Sequence, residues 1–180
     1  MSFIRNFVRH AENSPNKVVL ASLGGGREIT FREMDLLSGK VYRFLKDRGI
    51  GREDFINILL PRGIEPVIAM FGVWKAGAAF ALTEEDDPGE RIAFIQKDCG
   101  CALILDGAAW QEILKCEPLH GYEETQDHDA AFAVYTSGST GMPKGVLHEY
   151  GNLEIILQSL RNEKGSPLME DVRFVYSSSP

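Results

Sequence analysis

Apolar residues recur every three or four positions in several stretches of the chain, and short unbroken apolar runs lie between them, which predicts helices alternating with buried strands. Phe3, Ile4, Phe7, Val8 and Ala11 fall on one face of a first helix that Ser2 can cap and Pro15 closes. Residues 17–22 read as a strand, and Gly24, Gly25 and Gly26 read as a hairpin turn. A phosphate-loop reading of these glycines fails, because no helix start follows directly and no lysine lies among them. Thr30 and Glu33 have the spacing of a capping box. Met34, Leu37, Val41, Phe44 and Leu45 then mark a long amphipathic helix that Gly49 ends. Further strands are expected at 55–60, 78–82, 102–105 and 130–135, and helices at 65–76, 88–97 and 108–115. Parallel neighbours need crossover helices, so this order predicts an α/β fold: a mostly parallel sheet with helices on both faces and ligands held at the strand ends.

Three later segments complete the pattern. Residues 117–129 are acidic and weakly apolar and read as an exposed connection. A short strand at 145–148 precedes a helix marked by Leu153, Ile156, Leu157 and Leu160, and 172–177 reads as a last strand. No helix follows that strand, so the sheet is expected to be unfinished at Pro180, with apolar surface open to self-association.

Composition narrows the function. With 180 residues, 44% hydrophobic and 25% charged, the chain has the usual soluble globular mix. Its net charge of −7 and the lack of a basic stripe argue against nucleic acid or an anionic membrane as partner. Arg5, Arg9 and His10 interrupt any signal-peptide core, and the longest uncharged apolar run, 66–74, is too short to span a bilayer, so a cytoplasmic location is expected. Cys99, Cys101 and Cys116 form no CxxC pair and read as reduced structural thiols; the four histidines show no zinc spacing. The carboxylates at 84–87 precede a helix and read as solvated groups favoured by its dipole, not as a metal site.

One segment carries chemistry: YTSGSTGMPKG, residues 135–145. A phosphate loop needs clustered donors, backbone free to approach the oxygens, and positive charge. Gly138 and Gly141 supply the backbone, Thr136, Ser137, Ser139 and Thr140 the hydroxyls, and Lys144 a mobile charge. The Walker pattern fails, since Pro143 stands five positions after Gly138 and Gly145 follows Lys144. Serine, threonine and glycine also cluster in ordinary linkers, but a linker would lack the flanking strands and helix expected here.

The motif resembles the signature loop of the adenylate-forming ligases, the superfamily of acyl-CoA synthetases, nonribosomal peptide synthetase adenylation domains, D-alanine carrier-protein ligases and luciferases. Two more segments are similar to that family in the right order: Ile29-Thr-Phe-Arg-Glu-Met34, and Trp74-Lys-Ala-Gly-Ala-Ala-Phe80 with Pro88-Gly-Glu-Arg-Ile92 after it. Trp74-Lys75 and Ser139 lean toward amino-acid adenylation. The resemblance implies a ligase that joins a carboxylate to the α-phosphate of ATP, releases pyrophosphate, and passes the acyl group to the thiol of coenzyme A or of a carrier protein's phosphopantetheine. Thr136, Ser137, Gly138, Ser139, Thr140, Gly141 and Lys144 would hold the β- and γ-phosphates with Mg²⁺ nearby.

Departures limit the carry-over. Residues 81–85, Ala-Leu-Thr-Glu-Glu, lack the family's proline, and Tyr150 stands where many members have histidine; His148 lies two positions early and reads as a structural strand residue. The family's adenine-stacking aromatic, its ribose and amino-group aspartates and its C-terminal lysine would all lie past Pro180. The resemblance therefore makes residues 1–180 the first α/β portion of a larger adenylation domain, with no catalytic residue of its own and no activity alone. An acyl-CoA synthetase portion, or a non-catalytic phosphate- or partner-binding module, remain as alternatives.

Overall fold

The computed structural model describes residues 3–22, 26–136 and 143–162. Helix α1 (Phe3–Asn13) leads into a hairpin of β1 (Val18–Ala21) and β2 (Glu28–Thr30), then α2 (Phe31–Lys46). Next come β3 (Phe55–Leu59), α3 (Ile64–Lys75), β4 (Ala79–Thr83), α4 (Gly89–Asp98), β5 (Cys101–Leu105) and α5 (Gly107–Ile113). Strands β6 (Ala130–Thr136) and β7 (Lys144–Glu149) and helix α6 (Tyr150–Asn162) end the described part. The predicted cap at Ser2, the turn residues Gly24 and Gly25 and the strand at 172–177 lie outside the described residues.

Strands β1 and β2 pair antiparallel, and the Ser22 N–H donates to Arg27 O at 2.9 Å across the predicted turn. The expected capping box is formed: Thr30 Oγ1 accepts from the Glu33 N–H at 3.3 Å, and Glu33 Oε2 accepts from the Thr30 N–H at 2.8 Å.

The main sheet has the order β5-β3-β4-β6-β7; its first four strands are parallel and β7 is antiparallel to β6. The chain steps one way from β3 to β4 and then back past β3 to β5. Right-handed crossovers therefore put α3 and α4 on opposite faces of the sheet. The central strand β3 shows both environments. Ile56 and Ile58 are buried on one face, while the equally buried Asn57 faces α4 and takes a hydrogen bond from Gln96 Nε2 at 2.9 Å. Asn57 Nδ2 also donates to Ala81 O and Thr83 Oγ1, which satisfies a polar group at the middle of the sheet.

On the α3 face, Phe3 and Phe7 of α1 pack on Phe71 and Trp74 of α3, with Phe7 and Phe71 ring centres 4.6 Å apart. Lys75 is completely buried here, its Nζ 2.7 Å from Asp35 Oδ1 and 2.9 Å from Asp35 O. Desolvation outweighs the Asp35 attraction and holds the Lys75 pKa below its ordinary value. The unfolded chain thus binds this proton more tightly than the folded one, so this group's contribution to stability increases as pH rises from the lowered pKa toward the ordinary lysine value. Asp35→Asn is expected to cost about 2 kcal/mol at pH 7, with the loss shrinking at alkaline pH as Lys75 gives up its proton; urea denaturation at several pH values checks this.

The segment at 117–129 corrects the expectation of an exposed connection. It is a strap pinned across α2 and α3: Leu119 N–H donates to Gly39 O, and Glu123 N–H to Lys75 O at 2.8 Å. Glu123 accepts from Tyr42 and Lys46, and Tyr122 and Glu124 accept from Arg5. Asp129, only 1% exposed, receives Arg52 Nε at 2.9 Å and Nη2 at 2.7 Å, and these bonds hold its pKa below the usual carboxylate value. The acidic residues that looked solvated are fixed by cations far away in sequence.

Candidate phosphate-binding site

The sequence WKAGAAF organises the strand that leads to the loop. Trp74 Nε1 donates to Ala131 O of β6 at 3.1 Å, and Ala78 O accepts from the buried Tyr150 hydroxyl at 3.0 Å. Phe80, Phe132 and His148 then stack across β4, β6 and β7, the last two rings 4.5 Å apart and 8° from parallel. His148 is thereby a packing residue, as its position before Tyr150 predicted.

Strand β6 takes its ladder partners on β4 at Phe80 and Ala81 and runs on to Thr136 at the C-terminal edge of the parallel strands. There it pairs with β7 so that Tyr135 faces Gly145 and Thr136 faces Lys144. Both ends of the glycine- and hydroxyl-rich loop thus meet as a cross-strand pair. Thr136 and Lys144 are exposed, and Lys144 has no carboxylate partner among the described residues. Ser137, Gly138, Ser139, Thr140 and Gly141 lie outside the described residues.

Helix α4 holds the hairpin at its base. The Tyr135 hydroxyl donates to Asp98 Oδ2 at 2.8 Å, and Arg91 Nη2 donates to Tyr135 O at 3.4 Å. Burial first, and then the Asp98 carboxylate, raise the Tyr135 pKa, so the phenol stays protonated and remains a donor. Its ring lies over Gly145: a Cβ there would sit 2.9 Å from Tyr135 Cζ, which explains why glycine follows Lys144. Tyr135→Phe keeps the ring and removes the Asp98 bond; it is expected to cost about 1 kcal/mol in urea denaturation.

At the same sheet edge the loops after β3 and β4 depart to opposite faces, the arrangement that opens a ligand crevice in α/β sheets. Arg62 pairs with Glu84 between these loops, and Arg91 pairs with Asp87 at 3.2 Å. The acidic run at 84–87 is therefore paired with arginines, and Asp87 Oδ2 also accepts the Glu84 N–H. No group of three or more metal-binding side chains occurs among the described residues. The Asp98 and Arg91 contacts were missed by sequence reasoning, although Arg91 stands in the Pro88-Gly-Glu-Arg-Ile92 segment that resembled the family.

A cation and a hydroxyl paired across a hairpin mouth, at the C-terminal edge of a parallel sheet, fit an anionic ligand. The AMP-binding enzyme family model matches residues 7–178, and the chain belongs to that family. It is 33% identical to bacitracin synthase 3 of Bacillus licheniformis, over 79% of this chain and 2% of that protein, and 30% identical to surfactin synthase subunit 2 of Bacillus subtilis (strain 168), over 99% and 5%. Among solved structures it is similar to the NpsA N-terminal subdomain of Klebsiella oxytoca in complex with 3-hydroxyanthranilyl-AMSN, at 26% identity and a TM-score of 0.71, covering 83% of this chain and 40% of that one. VinN shares the fold, with a TM-score of 0.75 over 90% of this chain and 46% of VinN, at 18% identity. The mostly parallel α/β fold expected from the sequence is thus the fold of the N-terminal subdomain of adenylate-forming enzymes. The chain spans a small part of the length of the curated relatives it matches.

Proposed function

We propose that this chain is the first α/β portion, residues 1–180, of an ATP-dependent ligase that activates an amino acid as its acyl-AMP, releases pyrophosphate and passes the acyl group to a thiol. The observation that carries this is the pairing of Thr136 with Lys144 at the mouth of the YTSGSTGMPKG hairpin. In this reading ATP supplies the electrophilic phosphorus and the leaving group. Lys144 and the hydroxyls of Thr136, Ser137, Ser139 and Thr140, with the backbone at Gly138 and Gly141, hold the β- and γ-phosphates. Negative charge builds on the departing pyrophosphate, so a fixed cation and donors at that point stabilise the transition state more than the ground state.

Mg²⁺ would enter on the phosphates, which together with water can complete its oxygen shell. The synthetase relatives support an amino-acid substrate and a phosphopantetheine carrier protein as acceptor, with coenzyme A as the other candidate thiol. No helix among the described residues is long and apolar enough to cross a membrane, and a cytoplasmic site of action fits that. Val146, Leu147, Ile155 and Ile156 are exposed on β7 and α6 and supply a surface for self-association, which sedimentation of the 180-residue chain at rising concentration would reveal.

ATP–pyrophosphate exchange by the complete gene product, with a panel of amino, aryl and fatty acids, tests the reading. Exchange that depends on an amino acid supports it. Exchange with fatty acids only would move the assignment to acyl-CoA synthesis, and no exchange with any acid would favour a non-catalytic phosphate-binding module. The 180-residue chain alone is expected to form no acyl-AMP.

A further inference from the structure

Cys99 ends α4 and Cys101 begins β5, the edge strand of the sheet on the side away from the phosphate hairpin. Between them Gly100 has φ +62°, a left-handed turn that folds the chain back on itself. Two Cα steps of about 3.8 Å limit the separation of the cysteine Cα atoms to about 7.6 Å, and a turn shortens it toward the 4.4–6.8 Å of a disulfide. Nothing lies within 4 Å of where a Gly100 Cβ would stand, so the turn is open to a reagent, and both cysteines are half-buried.

The ladder is irregular at this point. Phe55 pairs with Cys101 but Ile56 pairs with Leu103, so one extra residue bulges from β5. Bulges re-aim side chains. Here the Asn57 N–H, on a fully buried residue, donates to Cys101 Sγ at 3.3 Å. The Cys99 thiol gives a second hydrogen bond to that sulfur, the larger of the effects that lower the Cys101 pKa and raise that of Cys99. Leu103 O, 2.8 Å from Cys101 Sγ, accepts the proton of the thiol form and opposes ionisation, so two donors act against one acceptor. Cys116 lacks this environment: its sulfur contacts only Glu112 O, at 3.6 Å, in a helical turn.

We propose that Cys101 and Cys99 form a reactive dithiol in which Cys101 is the nucleophile and Cys99 the resolving thiol, with a small disulfide as the substrate. Cys101 thiolate attacks one sulfur of R–S–S–R; a new S–S bond forms, the old one breaks, and the first RS⁻ leaves. Cys99 gives its proton to solvent and attacks Cys101 Sγ, expelling the second RS⁻. The cysteine pair is oxidised by two electrons, the reagent is reduced to two thiols, and the two protons lost by the cysteines appear on those thiols.

The test begins with the unmodified chain. Iodoacetamide at pH 6, followed by peptide mass spectrometry, is expected to label Cys101 about tenfold faster than Cys116, the gain in thiolate outweighing the lower nucleophilicity of a more acidic thiol. Oxidised glutathione is then expected to give a Cys99–Cys101 disulfide with Cys116 still alkylatable. Cys99→Ser should stop at a Cys101–glutathione adduct, Cys101→Ser should gain neither product at Cys99, and Cys116→Ser should behave as the parent. Equal labelling of Cys101 and Cys116 in the parent chain, or glutathione uptake at Cys99 in Cys101→Ser at the parent rate, would overturn the proposal.

Discussion

Replacing Gly72 with alanine lowers the unfolding free energy by about 3 kcal/mol in urea denaturation, with an unchanged denaturant dependence. Gly72 lies where α3 crosses α2. A Cβ there would stand 2.3 Å from Val41 Cβ, 2.6 Å from its Cγ1 and 2.8 Å from Ser38 O. Ser38 O is helix backbone and cannot step aside, and Val41 is fully buried with a stiff branched side chain, so the helices must separate. Separation would loosen Trp74 and Lys75 two and three residues on, and with them the bonds to Ala131 and Asp35. Gly89 is the control. It opens α4 with nothing within 4 Å of its Cβ position, and Gly89→Ala is expected to be neutral or to stabilise by up to about 1 kcal/mol. A Gly72→Ala variant as stable as the parent would show that the two helices do not pack this closely.

Much of this architecture was legible. Helices α2, α3 and α4 carry their periodicity, caps and stop residues locally, and β3 and β4 are unbroken apolar runs between them, so each could be read within its own window. The three-residue β2 was not named, because it fits between a glycine turn and the Thr30 cap and has no pattern of its own. The strap at 117–129 was misread for another reason. Carboxylates look solvated in sequence, and only the fold brings Arg52 to Asp129 and Lys46 to Glu123, each pair 77 residues apart.

The site divides the same way. The composition of 136–144 announced an anion loop, and resemblance gave it a ligand class. Neither showed that Thr136 and Lys144 pair across a hairpin, that α4 fixes Tyr135 through Asp98 and Arg91, or that Gly145 lies under the Tyr135 ring. Those facts depend on register and on a helix almost 40 residues upstream. Local sequence carries neither.

Lys144→Ala is the second large effect. With a net charge of −7 the chain has no overall field to attract a polyanion, so affinity for triphosphate must come from local cations. Arg62 and Arg91, near the same sheet edge, pair with Glu84 and Asp87, whereas Lys144 has no carboxylate partner among the described residues. Removing its charge should lower kcat/KM for ATP and for pyrophosphate about 100-fold, or about 2.7 kcal/mol of transition-state stabilisation. The amino-acid KM should change little, because Lys144 holds the leaving group and not the acid. Stability should stay within about 0.5 kcal/mol, since the side chain is exposed at a strand end.

ATP–pyrophosphate exchange by the complete gene product and its Lys144→Ala variant, compared at saturating amino acid, tests the central claim most directly. The account predicts acid-dependent exchange in the parent and a roughly 100-fold loss of kcat/KM for ATP in a variant that melts like the parent. A folded Lys144→Ala variant that exchanges at the parent rate would contradict it.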